Sequence, residues 1–412
     1  MRWLYQFFIL IYQASAVIAS WFSPKARLWG QGRKRQFEKM KYAFAEKDRL
    51  AWFHCASLGE FEQGRPVIEA FRMECPDYKV LLTFFSPSGF EIRKNYDKAD
   101  YIFYLPLDTR ANVRRFLDIW KPSVAIFVKY EFWFNYLDAL HKRKIPSLVI
   151  SANFRPEQHF FRPYGKWFRR QLKKLSFLFV QNEKSLKLLH QAGILNAAIS
   201  GDTRFDRVAA IAEQPADFPQ FDSFARESQI LVAGSTWPAD EALLLPLIND
   251  PAGKLKFIIA PHEIQAQHIQ NLKKQIKVRT EIFSELSGNV SADTRVLIID
   301  RIGILSGLYS MGSMAYVGGG FGRGIHNILE AVTFGLPVFF GPRYQQFAEA
   351  LELKERGGAF PVQQGKDLLQ GVNEFLQQPQ ILHQASLICR KYIEEKKGAT
   401  VTVVEFLKDK LL

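Results

Sequence analysis

Cysteine, paired aspartate and regularly spaced histidine are scarce in this chain of 412 residues. The three cysteines, Cys55, Cys75 and Cys389, are too few and too scattered for a disulfide framework or a zinc site. No Asp-x-Asp pair and no His-x-x-x-His spacing occurs, so the sequence predicts no metal site and no cofactor. This cysteine usage fits a reducing compartment.

The chain also lacks two familiar phosphate-binding motifs, although it has a glycine-rich loop. Residues 317–342 read VGGGFGRGIHNILEAVTFGLPVFFGP. No Gly-Lys-Ser/Thr follows, and Arg323 stands where G-x-G-x-x-G needs its last glycine, which argues against a Walker A loop and a nicotinamide dinucleotide. Two interpretations remain open. The loop is either a tight turn required by packing, or a nucleotide site with phosphate on its N–H groups and ribose on Glu330.

The residues after the glycines favour the nucleotide. His326, Asn327 and Glu330 are polar and open a predicted helix. Asn327 and Glu330 are three positions apart, so they would face one ligand from the same side of that helix.

Acidic residues are outnumbered, with 41 Asp and Glu against 55 Lys and Arg, which gives a net charge of +14. Nucleic acid and an anionic membrane surface both explain such an excess. Residues 3–22 are uncharged, and seven basic residues follow between 25 and 41. A run of 20 residues can just span a bilayer or lie in its interface, and the basic flank predicts a cytoplasmic domain after it. We therefore predict a membrane anchor at residues 1–22 and no nucleic-acid partner.

A second basic stretch, FFRPYGKWFRRQLKKL at residues 160–175, interleaves aromatic and cationic side chains. It fits a helix at the level of lipid headgroups, a surface that stacks on single-stranded nucleic acid, or an ordinary solvated helix face.

Short apolar runs alternate with amphipathic segments along the rest of the chain, which predicts parallel sheets. The predicted strands lie at 50–57, 80–86, 101–107, 124–130, 147–153, 177–182, 230–236, 256–262, 296–300, 314–320 and 337–342. A polar stretch rich in Pro, Asp and Gln separates two such series. We predict an α/β protein with two Rossmann-like, doubly wound domains at 23–211 and 229–412, joined by a linker at 212–228 and facing a cleft.

Several polar residues follow predicted strands, where ligands bind in such sheets. Glu60 is either the N3 residue of a capping box with Ser57 or a functional carboxylate. Glu131 lies among aromatic residues and is either salt-bridged or functional. Arg204 either pairs with Asp202 or Asp206 or has a functional role, and His54 is interpreted as a satisfied core histidine.

Taken together, these residues resemble the Kdo (3-deoxy-D-manno-octulosonic acid) transferases of lipopolysaccharide synthesis. The resemblance covers nearly the whole chain and depends on the order and spacing of several motifs. They are SLGE (57–60), YEFWFN (130–135), SANFR (151–155), GDTRFD (201–206), GSTWPADE (234–241) and HNILEAVTFGLPVFFGP (326–342). It implies the two-Rossmann glycosyltransferase (GT-B) architecture. It also implies transfer of Kdo from CMP-Kdo to lipid A precursor (lipid IVA), without a metal, at the cytoplasmic face of the cell inner membrane.

The resemblance also implies roles for particular residues. Glu60 matches the family's general base, and Glu131 and Arg204 match positions thought to stabilise the transition state. The segments that match CMP-binding positions are Pro261-His262, Ile302-Gly303-Ile304 and Asn327-Ile328-Leu329-Glu330. Many members carry Lys in place of Arg204, Arg-His-Pro in place of residues 262–264, Gly-Glu in place of residues 303–304 and Pro in place of Ile328.

The mechanism that follows is an inverting displacement at the anomeric carbon. The glycine loop and its helix would hold the phosphate of CMP with Glu330 on the ribose, while Glu60 takes the proton from the acceptor hydroxyl. Two alternatives remain open: a UDP-sugar-dependent GT-B transferase of envelope synthesis, and a non-enzymatic protein that binds membranes through its basic face.

Overall fold

The computed structural model describes residues 2–43 and 49–410. Met1 of the predicted anchor and the last two residues of the predicted second domain lie outside the described residues. The chain forms two compact units. The first contains the residues up to Arg207 together with those from Lys397 onward, and the second contains Val208–Lys396.

The first unit is built on a parallel sheet of seven strands in the order β3-β2-β1-β4-β5-β6-β7. Its strands are β1 (Arg49–Cys55), β2 (Tyr78–Phe84), β3 (Tyr101–Tyr104), β4 (Val124–Val128), β5 (Ser147–Ala152), β6 (Phe177–Val180) and β7 (Ala197–Ile199). Its helices are α1 (Arg2–Ala19), α2 (Pro24–Gly32), α3 (Gln36–Ala43), α4 (Leu58–Glu74), α5 (Pro87–Arg93), α6 (Arg110–Trp120), α7 (Phe134–Lys142), α8 (Lys166–Leu172) and α9 (Glu183–Gln191). The helix α10 (Thr203–Glu213) runs across the boundary between the units.

The second unit repeats this plan with the strand order β10-β11-β9-β8-β12-β13-β14, also parallel. Its strands are β8 (Ile230–Thr236), β9 (Lys256–Pro261), β10 (Thr280–Ile282), β11 (Val296–Ile298), β12 (Met314–Val317), β13 (Val338–Phe340) and β14 (Ala359–Pro361). Its helices are α11 (Asp222–Ala225), α12 (Pro238–Ile248), α13 (Ala266–Gln275), α14 (Leu305–Leu308), α15 (Leu329–Val332), α16 (Ala348–Arg356), α17 (Gly365–Gln377) and α18 (Pro379–Lys396). Two parallel, helix-covered sheets confirm the predicted fold class.

The last helix, α19 (Ala399–Lys410), does not belong to the second unit, to which the sequence assigned it. Val403, Val404 and Leu407 are buried in the core that also contains Phe71 of α4. The Asp206 carboxylate accepts hydrogen bonds from Thr400 N and Thr400 Oγ1, both at 2.9 Å. Apolar burial and this cap together hold the chain end on the first unit.

The N-terminal helix α1 is attached to the first unit by one face and exposed on the other. Tyr5 Oη donates to Asp108 Oδ2 at 2.5 Å, and the Tyr5 ring lies 4.9 Å from that of Phe134. Apolar side chains such as Trp3, Phe8 and Phe22 remain largely exposed. Among the described residues no single helix is long and apolar enough to cross a bilayer. Trp3–Ala19 and Pro24–Gly32 would qualify only as a pair, and that pair is bent by 120°.

The aromatic residues of the basic stretch at 160–175 turn inward rather than toward a ligand. Phe160 is buried against Phe132 and Phe154, with ring centroids 5.1 and 6.0 Å apart. Trp167 contacts Phe134 at 4.8 Å. Apart from Tyr164, which is 61% exposed, the aromatic residues of that pattern pack against the first unit, and its cations remain as a surface feature.

Candidate active site

The first cluster of candidate residues lies at the carboxyl ends of β1 and β4. These strands are neighbours, with His54 opposite Phe127 in the parallel register. Glu60 follows β1 on the first turn of α4, and Glu131 follows β4 in a loop. Lys129, in the turn before Glu131, has a φ of +63°, a conformation that side chains rarely adopt outside functional or over-determined turns. The sheet topology therefore brings the two acids that the sequence singled out to the same edge.

Glu60 does form the predicted capping contact. Ser57 N donates to Glu60 Oε2 at 3.0 Å, so the carboxylate satisfies a backbone donor that the helix leaves free. Burial and, after it, the negative charge of Glu131 raise the pKa of Glu60 to about 7, while N–H groups of Ala56 and Ser57 act in the opposite direction. Capping thus fixes the position of the carboxylate, and its environment gives it the proton affinity of a neutral-pH base.

Glu131 is held by the indole of Trp133. Trp133 Nε1 donates to Glu131 Oε2 at 2.7 Å and to His54 Nε2 at 3.1 Å, and His54 Nε2 lies 3.4 Å from the same carboxylate oxygen. The other nitrogen of His54, Nδ1, lies 2.9 Å from Thr83 Oγ1. His54 is fully buried, as predicted for a core histidine, but its ring connects the core to Glu131. Sequence reasoning missed this second role, because an isolated histidine in an apolar strand carries no signal of its partner.

Arg204 is paired with Asp202, one of the two partners that the sequence suggested. Its Nε and one terminal nitrogen both lie 2.8 Å from Asp202 Oδ2, and its backbone N donates to Asp202 Oδ1 at 3.0 Å. The guanidinium is partly exposed and Asp202 is buried. The other candidate partner, Asp206, instead caps the start of α19.

The glycine loop of the second unit is required mainly by packing. A side chain at Gly318 would lie 2.2 Å from the carbonyl oxygen of Ser235, and one at Gly320 would lie 2.6 Å from the backbone of Gly341. Gly318 N donates to Gly234 O at 2.9 Å, and Gly319 N donates to Asp240 Oδ2 at 2.9 Å. These two N–H groups are therefore bound within the protein and are not available to a phosphate.

Asp240 organises this part of the second unit. It is fully buried and accepts hydrogen bonds from Tyr316 Oη at 2.8 Å and Trp237 N at 2.9 Å, besides that from Gly319. The sequence does carry a signal for this role, because Asp240 is the N3 residue of a helix that begins with Pro238, a position from which an acid often caps the helix. This capping arrangement was not among the predicted site residues.

Three nearly parallel rings lie beside the loop. His262 stacks on Trp237 and on His326, with ring centroids 4.6 and 4.5 Å apart, and Trp237 Nε1 donates to His326 Nε2 at 3.0 Å. Burial and the adjacent His262 lower the pKa of His326. Pro261 ends β9 and is buried, so His262 is the member of that predicted pair with a side chain open to a ligand.

Asn327 and Glu330 meet as predicted, although the helix begins later. The helix α15 starts at Leu329 rather than His326, because the Asn327 side chain accepts from Leu329 N at 3.2 Å and so lies before the helix. Asn327 Nδ2 donates to Glu330 Oε1 at 3.1 Å. Ile328 and Leu329 are fully buried, so of these four residues only Asn327 and Glu330 offer polar side chains to a nucleotide.

The turn at Ile302, Gly303 and Ile304 lies at the same edge of the second sheet. It leads into α14, whose Leu305 packs against Gly234 near the end of β8. Ile302 is 82% exposed and Gly303 has a φ of +93°, so the turn presents backbone and one apolar side chain to solvent. No group of three or more metal-ligating side chains occurs among residues 2–43 and 49–410.

Two Rossmann-like units with polar clusters at their sheet edges define the GT-B class of fold, and solved structures share it. UDP-GlcNAc 2-epimerase from Neisseria meningitidis is 17% identical and superposes with a TM-score of 0.61 over 88% of this chain and 100% of its own. MurG from Acinetobacter baumannii is 13% identical with a TM-score of 0.55, covering 88% and 99% of the two chains. At these identities the likeness concerns the fold alone.

Sequence comparison shows which family the chain resembles. Residues 31–207 match the family model described as 3-deoxy-D-manno-octulosonic-acid transferase (kdotransferase). A curated transferase of that name from Aquifex aeolicus is 27% identical over 354 residues, which cover 83% of this chain and 91% of the relative. One from Rickettsia felis is 26% identical over 332 residues, covering 78% and 70%. The chain is therefore similar to the Kdo transferases, through the family model over residues 31–207 and through these relatives over most of its length, as its motifs predicted.

Proposed function

We propose that this protein transfers Kdo from CMP-Kdo to a hydroxyl group of lipid A precursor, with inversion at the anomeric carbon. The similarity to Kdo transferases and the matching fold support the reaction class. The observation that carries the chemistry is the pair of carboxylates at the ends of β1 and β4, of which Glu60 has a pKa raised to about 7. A base of this strength is suited to proton transfer near neutral pH.

Glu60 is the general base in this proposal. Its carboxylate is oriented by the Ser57 N–H bond, and it takes the proton of the acceptor hydroxyl as that oxygen attacks the anomeric carbon. Glu131, fixed by Trp133, stabilises the positive charge that develops on the sugar ring. Arg204 contributes as an ion pair with Asp202, so its net field on a departing phosphate is weaker than that of an isolated cation.

CMP binds to the second unit in this proposal. Glu330 takes the ribose hydroxyls, with Asn327 orienting its carboxylate, and His262 and the turn at 302–304 line the same sheet edge. Ile328 and Leu329 contribute only backbone atoms because their side chains are buried. The mechanism uses no metal, and this remains a prediction from the family resemblance.

We place the enzyme at the cytoplasmic face of the cell inner membrane. The exposed apolar residues of α1 and the basic residues that follow it support binding to an anionic lipid surface. The same surface gives access to a lipid-linked acceptor, and we propose no nucleic-acid partner.

The proposal is tested by incubating the purified protein with CMP-Kdo and lipid A precursor, and following release of CMP and gain of mass by the lipid. Glu60→Gln is the matched inactive control. We expect stabilisation against heat by CMP but not by UDP. Release of product from a UDP-sugar instead would favour the envelope transferase, and vesicle binding without any nucleotide effect would favour the non-enzymatic alternative.

A further inference from the structure

Two neighbouring cavities of the first unit share one wall, the buried indole of Trp29. The larger has a volume of about 500 Å³ and lies between α1, α2, α3 and α6. The smaller has a volume of about 450 Å³ and lies between α1, α2 and the start of α5. Nothing in the mechanism above uses either cavity.

The larger cavity, which we call the basic pocket, is lined by four cationic side chains and one carboxylate. The cations are Arg33, Lys34, Arg35 and Arg115, and the acid is Glu38. Arg33 is largely buried, and burial lowers its pKa to about 9, so it remains a cation at neutral pH. Its hydrogen-bond acceptors among the described residues are the backbone carbonyls of Trp29, Phe85 and Leu105, none of which neutralises its charge.

Three polar atoms of residues that line the basic pocket lack hydrogen-bond partners among the described residues, and they are buried beneath its wall. They are Trp29 Nε1, Arg33 Nε and Gln36 Oε1, and the Gln36 side chain is more than nine-tenths buried. Unpaired buried polar groups are uncommon in folded proteins and often mark an unoccupied ligand or water position. The basic pocket itself is lined by three exposed cations, Lys34, Arg35 and Arg115, which are suited to an anionic ligand such as a phosphate.

The smaller cavity, the apolar pocket, is lined on one side by α1 and on the other by the chain after β2. Its wall includes Tyr12, Ala16, Ala19, Trp29, Phe85 and Pro87. The helix α1 carries exposed Phe8, and the turn that follows it carries exposed Trp21 and Phe22. A cavity of this composition, continuous with an exposed apolar helix, fits a hydrocarbon chain.

Both pockets are connected to the candidate catalytic carboxylates through Phe85 and Ser86. The Phe85 ring lies 4.7 Å from that of Trp133, which holds Glu131. Ser86 N donates to Ala56 O at 2.7 Å, and the next residue, Ser57, donates to Glu60. Arg33 also donates to the Phe85 carbonyl at 2.9 Å, which links the basic pocket to the same segment.

We propose that these two pockets form the acceptor site, with a phosphate group of a glycolipid in the basic pocket and one of its acyl chains in the apolar pocket. The sugar between these groups would then present its hydroxyl to Glu60. This inference rests on the proposed function for the identity of the acceptor, but its binding step can be measured without transfer.

The phosphate half is tested with Arg115→Gln, and with Lys34→Gln as an independent second variant. Arg114→Gln is the matched control, because Arg114 is exposed on the same helix and does not line the pocket. In neutral detergent, each pocket variant should raise the KM for a phosphorylated glycolipid acceptor about tenfold, the loss of one charged hydrogen bond. The kcat, and the KM for the dephosphorylated acceptor, should match those of Arg114→Gln.

The acyl half is tested with Ala16→Phe, which fills the apolar pocket. Ala14→Phe adds the same side chain to an exposed position of α1 outside the pocket. Ala16→Phe should raise the KM for the acylated acceptor and leave turnover of its deacylated form unchanged. Equal behaviour of the two variants toward both acceptors would overturn the acyl assignment.

Two further measurements separate the possible failures. Equilibrium binding of the phosphorylated glycolipid without donor tests the pocket directly. If Arg115→Gln binds this glycolipid more weakly than Arg114→Gln but wild type transfers no Kdo, the proposed function is wrong and the pocket assignment stands. Normal transfer with no difference between Arg115→Gln and Arg114→Gln would refute the pocket and keep the function. Flotation with phosphatidylglycerol vesicles identifies the source of the phosphate. If Arg115→Gln loses vesicle binding by the same factor as it loses glycolipid binding, the basic pocket binds bulk lipid headgroups, and the proposed acceptor site is wrong.

Discussion

Replacing Glu60 by Gln should inactivate the protein and stabilise its fold at alkaline pH. The pKa of Glu60 is raised from 4.5 to about 7, so the folded protein holds this proton more tightly than the unfolded chain does. Because its pKa is raised in the folded state, Glu60 contributes stability at pH values below its unfolded-state pKa, and that stability is lost as the pH rises through about 7. The shift of about 2.5 pKa units corresponds to roughly 3 kcal/mol at pH 8.

Glutamine carries no charge and so avoids this cost. It can still accept from Ser57 N, although the weaker bond loses about 1 kcal/mol. We therefore expect Glu60→Gln to unfold with a free energy about 2 kcal/mol higher than that of wild type at pH 8, and within about 1 kcal/mol of wild type at pH 4, where Glu60 is protonated. Urea denaturation at the two pH values measures the difference. An identical difference at both would refute the burial and charge argument.

The kinetics of the same variant test the catalytic role. An amide has no useful proton affinity, so transfer should fall about 10²–10⁴-fold while CMP affinity is kept. Ser57→Ala should lower stability by about 1 kcal/mol at every pH and keep most of the activity. In wild type, kcat/KM should rise with pH through about 7. Removing the negative neighbour with Glu131→Gln should move that rise to lower pH. A nearly active Glu60→Gln would leave only the capping role.

Three further substitutions test the surrounding contacts. Glu330→Ala should weaken CMP binding about ten- to a hundredfold in calorimetry, because a charged hydrogen-bond partner is lost; unchanged affinity would assign Glu330 a structural role. His54→Asn should lower kcat about tenfold without changing CMP affinity, because the Trp133 indole that fixes Glu131 loses its hydrogen bond to His54; unchanged kcat with lower stability would make the histidine purely structural. Burial raises the pKa of Asp108 to about 6, and the hydrogen bond from the Tyr5 hydroxyl opposes this rise because it stabilises the ionised carboxylate. Tyr5→Phe removes that bond and should destabilise the fold by about 1.5–3 kcal/mol above pH 7. That difference should shrink as the pH falls through the raised pKa of Asp108 in the variant and should be nearly gone below about 6, and an equal difference in urea titrations at pH 5 and pH 8 would contradict this.

The sequence predicted the interior of both sheets and missed three of their four edge strands. All eleven predicted strands occur, because a central parallel strand is buried on both faces and reads as a continuous apolar run. The three missed strands, β7, β10 and β14, are the outer strands of their sheets and have three residues each. Ala197–Ile199 and Thr280–Ile282 are partly exposed, so neither length nor hydrophobicity distinguishes them from loops.

Residues at strand ends were predictable, but their partners were not. Glu60 and Glu131 were found because parallel sheets collect their carboxyl ends at one edge. The contact between Glu131 and His54 joins residues 77 positions apart and depends on the pairing of β1 with β4. The bond from Thr400 to Asp206 spans 194 positions. A single sequence shows local periodicity and capping patterns, and contacts of this range leave no local pattern in it.

Glu60 is both the capping residue of α4 and the candidate general base, the two roles that the sequence offered as alternatives. Helix-terminal N–H groups favour the ionised carboxylate, whereas burial and the charge of Glu131 favour the protonated one. Capping alone would leave a carboxylate whose pKa is too low for it to take a proton from a hydroxyl group. Burial alone would leave a carboxyl group with no bond to fix its direction. Because the opposing effects balance near pH 7, the residue that starts α4 is held in place and still binds a proton in the range where a general base must act.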